Sequence, residues 1–256
     1  FSNVPLPGKM NTSVAITARH SPHHMRKLLG QFLSARGFLE AMNMSLTQPA
    51  FYKTVDSLDR EELVTIHNTS NESLNLMRPE MIMPVLETVK RNINRKQNNL
   101  RIFESGKSYR QSGNLPVEHE HLIICMTGLL YPDHWQSKVV RSIDFFTLKS
   151  EAEALLHRSG IREWQIKTLD RTEDFGYGIE YKSQTTSIAR VGSVSEKWLS
   201  QFDIRQSVFI ADFNFENLVS LASDSVTVFE ELNRFPAVER DLAIVIDEGT
   251  SFEKIN

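Results

Sequence analysis

The chain has 256 residues, of which 40% are hydrophobic, and its formal net charge at pH 7 is −3. This length and composition allow one large globular domain or two ordinary ones around a sizeable core. The small net charge excludes a general polyanion-binding surface, so any contact with RNA needs a local basic patch. No leader sequence opens the chain and no apolar run approaches the roughly 18 residues that span a bilayer, so we expect a soluble protein without membrane contact.

Cysteine usage bears on the cellular compartment. Cys125 is the single cysteine, and it lies in the apolar run 122–126. One cysteine excludes an intramolecular disulfide, and a small buried thiol is the expected role of this residue. We therefore expect a protein of the reducing cytoplasm.

The first predicted elements are a helix, a glycine stop and a strand. Ser21 is a good helix N-cap with Pro22 at the first helical position, and apolar residues follow at helical spacing. Gly37 is a natural end for this helix. Residues 38–46 then mix apolar and small polar residues, a pattern that predicts a strand.

A second helix is predicted to start near Pro79 or Pro84, because apolar residues recur every four positions from Val85. Its other faces carry the basic residues Lys90, Arg91, Arg95 and Lys96. Beyond it, residues 100–109 and 121–130 have strand character and are separated by the turn-rich segment 111–116. This arrangement predicts an antiparallel pair of strands.

The rest of the chain alternates predicted helices and strands. The predicted helices are residues 144–159, 196–202 and 215–221, and the predicted strands are residues 178–181, 187–193 and 208–214. Strands outnumber the helices that could cross between them. The expected fold class is therefore α+β, with an antiparallel sheet flanked by helices.

Two sequence signatures resemble a known family. The first extends from Asn68 to Tyr109 and combines Met77-Arg78, a helix with an Asn-x-Asn-Arg ending, and a strand reading Arg-x-Phe-Glu-x-Gly. In order and spacing it resembles the catalytic-like core of the beta subunit of bacterial phenylalanyl-tRNA synthetase. The second signature, residues 233–246, resembles the entry to the ferredoxin-like anticodon-binding domain of the same subunit.

The resemblance implies a class II aminoacyl-tRNA synthetase-like core at residues 1–228 and the truncated start of an anticodon-binding domain at residues 229–256. The last part offers one predicted strand, residues 241–246, so we expect no autonomous domain there. The chain opens in a proline-rich segment without an initiator Met and stops just after Ser251, a candidate helix cap. We therefore expect a fragment of a longer polypeptide whose editing domain lies upstream.

The resemblance also implies a role and partners. In this family the beta subunit joins the alpha subunit, which owns the active site, in a heterotetramer of two alphas and two betas. The implied function is support of assembly and of the ATP-dependent attachment of phenylalanine to tRNA in translation, as a subunit of a ligase. ATP and magnesium serve the whole enzyme and tRNA(Phe) binds the full-length complex, whereas this fragment alone is expected to hold no cofactor and to be inactive.

The expected inactivity follows from strand geometry. Class II synthetases hold ATP with an Arg-x-Glu pair on one strand and complete the site with a glycine-rich strand and helix. The nearest equivalents here, Arg101 and Glu104, are three residues apart, and such residues point to opposite faces of a regular strand. The segment 192–197 has one glycine, and a lysine where an arginine would stand. We predict a degenerate motif without catalytic residues or bound metal.

Two groups of residues are candidates for partner contacts. Arg36 and Phe38 lie in a segment that resembles the first class II motif, which builds subunit interfaces; an ordinary helix end before a core strand explains the pattern equally well. Arg91, Arg95 and Lys96 are candidates for contacts with RNA phosphates or acidic groups of a partner. A solvated helix face is the default explanation for these charges.

Three further points stay open in the sequence. His119 and His121 share a strand face, but a catalytic role would need a nucleophile or metal partner that the sequence does not specify. Residues 171–178 replace a His-Pro-Gly-Arg-like turn of the family, which leaves the function of that turn in doubt. Two other functions compete with the main one: an active class II aminoacyl ligase, and a free-standing RNA-binding or regulatory paralogue.

Overall fold

The computed structural model describes residues 21–223 apart from 54, 56–57, 70, 114 and 132–139, together with residues 9, 13, 229, 235, 238, 240–247 and 250. The chain forms two units, Phe1–Ser225 and Val226–Asn256. The predicted boundary after residue 228 lies close to this division, and the domain identities of the two parts stay predictions.

Helices and strands alternate along the described part of the first unit. The helices are α1 (Pro22–Ala35), α2 (Ile82–Ile93), α3 (Phe145–Arg158), α4 (Glu196–Gln201) and α5 (Phe215–Ser223). The strands are β1 (Leu39–Glu40), β2 (Leu46–Thr47), β3 (Leu76–Met77), β4 (Leu100–Ser112), β5 (Leu115–Thr127), β6 (Gln165–Leu169), β7 (Phe175–Ser183), β8 (Thr186–Val194) and β9 (Val208–Asn214). None of the described helices is long and apolar enough to cross a bilayer.

One large sheet dominates the architecture. Its seven strands follow the order β1-β4-β5-β9-β8-β7-β6, and β2 pairs with β3 in a separate two-stranded sheet. In the large sheet β1 is parallel to β4, and the other neighbouring strands are antiparallel. The predicted α+β class and the predicted antiparallel pairing of β4 with β5 are confirmed.

Both faces of the large sheet are covered. One apolar cluster joins α1, α3 and α5 to strand residues such as Phe103 and Ile124. The other joins α2 and α4 to the alternate strand residues, such as Ile102 and Ile123. Consecutive residues of a strand point to opposite faces, so a single apolar run in β5 contributes to both cores. Cys125 lies buried in the second core, as predicted, and burial raises the pKa of its thiol.

The start of the chain shows why one prediction held and the next one failed. Ser21 caps α1, with its hydroxyl accepting from the His24 N–H at 3.2 Å, and Gly37 has a φ of +84° beyond the helix end. The predicted strand 38–46 is wrong in extent, because the ladder to β4 ends where Ala41 N donates to the Phe103 carbonyl at 2.7 Å. The chain then turns away, and the Asn43 N–H donates to the Glu104 side chain of β4 instead.

Two strands were misjudged elsewhere. The edge strand β6 pairs with β7 but exposes three of its five residues, so it lacks the apolar alternation that identifies strands from sequence. The predicted strand 241–246 is wrong: among the described residues of the second unit there is no helix or strand, and residues 240–247 are exposed. An apolar run forms a strand only where a neighbouring strand pairs its backbone groups, and the described residues of this unit supply none.

Candidate functional site

A buried ion pair lies on the side of the large sheet that α2 covers. Arg78 donates from Nη1 to Glu104 Oε1 at 2.7 Å and from Nε to the Lys107 carbonyl at 2.7 Å. Both charged side chains are 3% exposed. Asn43 Nδ2 donates to Glu104 Oε2 at 2.6 Å, and the Asn43 backbone N–H donates to Glu104 Oε1 at 3.3 Å. The pair therefore has the additional hydrogen bonds that a charge removed from water requires.

Gly106 makes room for this ion pair. A Cβ atom at Gly106 would lie 2.3 Å from Arg78 Nη2 and 3.1 Å from Glu104 Oε1. Any side chain here would therefore displace the guanidinium. Arg78, Glu104 and Gly106 belong to the sequence signature described above, and the structure unites them in one buried arrangement.

Arg101 and Glu104, the degenerate motif, engage different parts of the protein. Arg101 Nη2 donates to the Leu130 carbonyl at 2.7 Å, whereas Glu104 binds Arg78. Strand alternation places Arg101 on the face of Phe103, which belongs to the α1 core, and Glu104 on the face of Ile102, which belongs to the α2 core. The motif residues do not converge on a common point from which they could hold one ligand.

A second polar chain crosses the same face of the sheet as Glu104. His121 joins Ser108 Oγ to Asp212 Oδ1, with 2.8 Å from its Nε2 to the serine and 2.8 Å from its Nδ1 to the aspartate. Arg190 then joins two carboxylates, donating to Asp212 Oδ2 at 3.5 Å and to Asp174 Oδ2 at 3.0 Å. Sequence reasoning singled out His121 but missed its partner Asp212, because Asp212 comes from β9, which only the sheet order brings next to β5.

The charges in this polar chain stabilise one another. Burial disfavours the imidazolium of His121, but the Asp212 carboxylate outweighs burial and raises the pKa of His121 above its usual value. Burial also opposes ionisation of Asp212, yet His121 and Arg190 hold its pKa below the usual value. Burial raises the pKa of Asp174 even though Arg190 opposes this shift. Asp212 is therefore an ionised anchor between the His121 ring and the Arg190 guanidinium.

The order serine, histidine, aspartate matches the arrangement of a nucleophile, a base and an orienting group. Here, however, Ser108 is only 3% exposed, and Asp212 is bound by Arg190 as well as by His121. A buried hydroxyl cannot attack an external substrate, so the arrangement acts as a hydrogen-bonded core. Among the residues that the structure describes, no group of three or more His, Cys, Asp or Glu is placed to hold a metal ion.

Glu80 forms a third polar arrangement, at the start of α2. Its carboxylate accepts from the Tyr52 hydroxyl at 2.7 Å, from the Met83 backbone N–H at 3.1 Å and from the Ile82 backbone N–H. Burial raises its pKa to about 7, and the neighbouring Asp174 carboxylate adds to this shift, whereas the hydrogen bonds oppose it. Glu80 thus caps the helix from a site where its charge is costly.

Because the first class II motif builds a subunit interface, we expect apolar residues near Phe38 to be exposed. Phe38 itself is 2% exposed and lies within the α1 core. Its N–H donates to the Leu33 carbonyl at 3.1 Å, so the turn at Gly37 directs the side chain beneath α1. Arg36 binds Glu151 Oε2 at 2.5 Å. An interface role for Arg36 and Phe38 stays a prediction.

The residues that follow Phe38 supply the exposed apolar surface that is expected near it. Leu39, Met42 and Met44 are 69%, 96% and 63% exposed. They lie at and just beyond β1, an edge strand of the large sheet. Any partner of this segment would therefore meet these three side chains.

The predicted basic contact residues lie together at the end of α2. Arg91, Arg95 and Lys96 are exposed, and no ion pair joins them to an acidic group among the residues that the structure describes. The preceding Lys90 differs, because its Nζ binds Asp203 Oδ2 at 2.8 Å. The three exposed cations are therefore available to an external anion.

Comparisons with known proteins agree with this architecture. A family model described as the phenylalanyl tRNA synthetase beta chain CLM domain matches residues 7–215. The phenylalanine–tRNA ligase beta subunit of Bacteroides thetaiotaomicron is 28% identical over 267 residues, covering 100% of this chain and 32% of that protein. The beta subunit of Syntrophotalea carbinolica is 30% identical over 92% of this chain and 30% of its own length. The chain thus spans about a third of the length of the curated relatives it matches.

Solved structures show the same fold at lower identity. Pyrrolysyl-tRNA synthetase from Desulfitobacterium hafniense superposes with a TM-score of 0.61 and 18% identity, covering 80% of this chain and 70% of that one. A second structure of the same enzyme gives a TM-score of 0.60 at 17% identity, covering 81% and 73%. The predicted class II aminoacyl-tRNA synthetase-like fold is confirmed.

Proposed function

Because the chain belongs to the phenylalanyl-tRNA synthetase beta chain family, we propose that it is a non-catalytic part of the beta subunit of phenylalanine–tRNA ligase. In this proposal it supports assembly with an alpha subunit, in a complex of two alphas and two betas, and thereby the phenylalanylation of tRNA in the cytoplasm. ATP and magnesium serve the whole enzyme, and tRNA(Phe) binds the assembled complex.

One observation carries the non-catalytic part of this proposal: the degenerate motif is engaged by the protein itself. Glu104 is buried against Arg78, and Arg101 bonds the Leu130 carbonyl on the other side of the sheet. To hold one ATP between them, one residue would have to leave its partner and change face. Differential stabilisation of a transition state needs groups that already point at the reacting atoms.

We expect the chain alone to give no phenylalanine-dependent exchange between pyrophosphate and ATP above a control without protein. The full alpha–beta complex serves as the positive control, and its exchange should survive Arg101→Ala in the beta subunit. Exchange by the chain alone that disappears in Arg101→Ala would establish the competing function, an active ligase.

The exposed apolar segment next to β1 supports the assembly part of the proposal. Edge strands with exposed apolar side chains tend to pair with or pack against other chains. Leu39, Met42 and Met44 satisfy this description. In a free-standing paralogue no partner chain would cover these exposed side chains. We assign this surface to the alpha subunit.

Replacing Leu39, Met42 and Met44 together with Ser in the full-length beta subunit is expected to reduce capture by a tagged alpha subunit about tenfold or more, since buried apolar anchors dominate interface energies. The matched control replaces Leu115, Tyr131 and Phe146, which are 72%, 63% and 72% exposed, with Ser. If the tagged alpha subunit captured the two variants equally well, the segment would not be its contact surface.

A further inference from the structure

We propose that one end of the large sheet binds RNA through its phosphate and ribose groups. The site is a cavity of about 390 Å³ lined by polar side chains, which we call the amide pocket: Asn98, Asn99, Ser142, Gln206 and Ser207. Its volume lies within the range of roughly 300–1,000 Å³ that is usual for ligand pockets. The pocket is open to solvent next to the C-terminal end of α2.

Basic residues lie close in the chain to several of the segments that line this pocket. Residues 90–101 contain Lys90, Arg91, Arg95, Lys96 and Arg101 without any Asp or Glu. Two of the other three chain segments that line the pocket are also preceded by arginines, because Arg141 comes before Ser142 and Arg205 before Gln206. In a chain whose net charge is −3, this local excess of cations is not an average property of the surface.

Part of that charge is neutralised and part of it is free. Asp203 Oδ2 lies 2.8 Å from Lys90 Nζ, and Asp203 Oδ1 lies 4.0 Å from Arg205 Nε. Asp144 Oδ2 lies 3.7 Å from Arg141 Nη2. Arg91, Arg95 and Lys96 have no such partner among the described residues. They precede the pocket residue Asn98 by seven, three and two positions along the chain, and we call these three cations the basic rim of the amide pocket.

The pocket is held in shape by its own hydrogen bonds. Asn99 Oδ1 accepts from the Leu129 N–H at 2.8 Å, and Gln206 Nε2 donates to the Asn98 carbonyl at 2.8 Å. Gly128 has a φ of +87°, and a Cβ there would lie 2.3 Å from the Asn98 carbonyl oxygen. The loops therefore approach closely in a defined arrangement, which reduces the entropy that a ligand must overcome.

Several groups that line the pocket remain available to a ligand. No hydrogen bond within the described structure uses the Asn98 side-chain amide or the hydroxyls of Ser142 and Ser207. Amides and hydroxyls both donate and accept, so they suit the ribose 2′-hydroxyl and the phosphate oxygens of RNA. The arginines of the rim suit phosphates, which they bind in a bidentate manner.

This combination favours RNA over an acidic protein surface. Carboxylates of a partner would be satisfied by the rim alone and would leave the amide pocket unused. None of the described residues that line the pocket is aromatic, so they do not provide stacking of splayed bases, the usual means of reading single strands. We infer contacts with the RNA backbone, which position an RNA without reading its sequence.

The test measures binding of a tRNA transcript to the assembled alpha–beta enzyme; the choice of this RNA rests on the proposed function. Replacing Arg91, Arg95 and Lys96 together with Ala is expected to weaken Kd about tenfold and to lower the slope of log Kd against log salt by about two to three, since each lost phosphate contact removes roughly 0.7–0.9 units of slope. The matched control replaces the exposed residues Arg158, Arg162 and Lys167 with Ala; its Kd should stay within about twofold.

A second variant tests the pocket itself. Asn98→Ala with Ser207→Ala leaves every charge in place, so the salt slope should not change while the preference for RNA over DNA of the same sequence falls. An unchanged Kd and slope in the rim variant would overturn the proposal. So would loss of alpha-subunit binding with RNA affinity retained, because the rim would then be a protein contact.

The two proposals fail in different ways. If the full-length beta subunit does not assemble with an alpha subunit, the proposed function is wrong. The rim and control variants of the beta subunit alone then decide the RNA site, because their difference in Kd and salt slope does not depend on a partner.

Discussion

Replacing Arg78 with Met is expected to lower the free energy of unfolding by about 3–5 kcal/mol, because it leaves a buried carboxylate without its counter-ion. Glu104 is 2% exposed and takes hydrogen bonds from Arg78 and Asn43 alone among the described residues. Methionine fills much of the arginine volume, so the effect measures the orphaned charge more than a cavity. Urea unfolding provides the measurement, as a shift in midpoint with an unchanged slope.

Two comparisons make this prediction specific. Arg101→Met removes an arginine from the same sheet, but that arginine bonds a carbonyl and is half-buried, so the loss should stay within about 1 kcal/mol. Adding Glu104→Gln to Arg78→Met should recover part of the stability, since no buried charge is left unpaired. If Arg78→Met and Arg101→Met cost the same, the buried ion pair does not stabilise the fold as described.

This ion pair also explains the physical content of the sequence signature. From sequence, Met77-Arg78 and the Phe103–Gly106 strand identify a family, but nothing in their separation shows that Arg78 meets Glu104. The contact becomes visible only when the segment before α2 is laid across β4. A residue pattern predicts faces and ends of elements, whereas a contact between distant segments depends on how those elements are stacked.

The predictions that held depend on local chemistry. Ser21 accepts the N–H of a residue three positions away, so the start of α1 is encoded in adjacent residues. The β4 and β5 strands are long enough for the alternation of their side chains between the two sheet faces to identify them from sequence. The burial of Phe38 is not evident from the sequence, because it depends on packing against the α1 core, which the neighbouring residues do not fix.

The polar chain through His121 was beyond sequence reasoning for a topological reason. Asp212 comes from β9, which lies between β5 and β8 in the sheet although it follows both in the chain. Asp212 faces His121 on one side and Arg190 on the other only because of that order. The alternation of side chains along a strand predicts that His121 shares a face with His119, but it does not identify the neighbouring strand.

Raising the pH through the range from about 4.5 to 7 is expected to reduce stability by about 3 kcal/mol through Glu80 alone. Burial raises the pKa of this carboxyl from 4.5 to about 7, and each unit of difference between folded and unfolded states corresponds to about 1.4 kcal/mol. Below pH 4.5 both states hold the proton and the stabilisation is complete. Above that pH the unfolded chain releases the proton first, so the stabilisation is lost as the pH passes through 7.

Glu80→Gln isolates this contribution, since a neutral amide does not titrate but keeps an oxygen that accepts from the Ile82 and Met83 N–H groups. His121 and Asp174 also have raised pKa values and change stability in the same direction, and Asp212 changes it in the opposite one. These groups remain in the variant, so the difference between the two pH profiles belongs to Glu80.

The exposed Glu163→Gln is the control and should leave the wild-type profile unchanged. Parallel profiles for the wild type and Glu80→Gln between pH 5 and about 8 would show that Glu80 is ionised in the folded chain throughout, as its cap on α2 would then require.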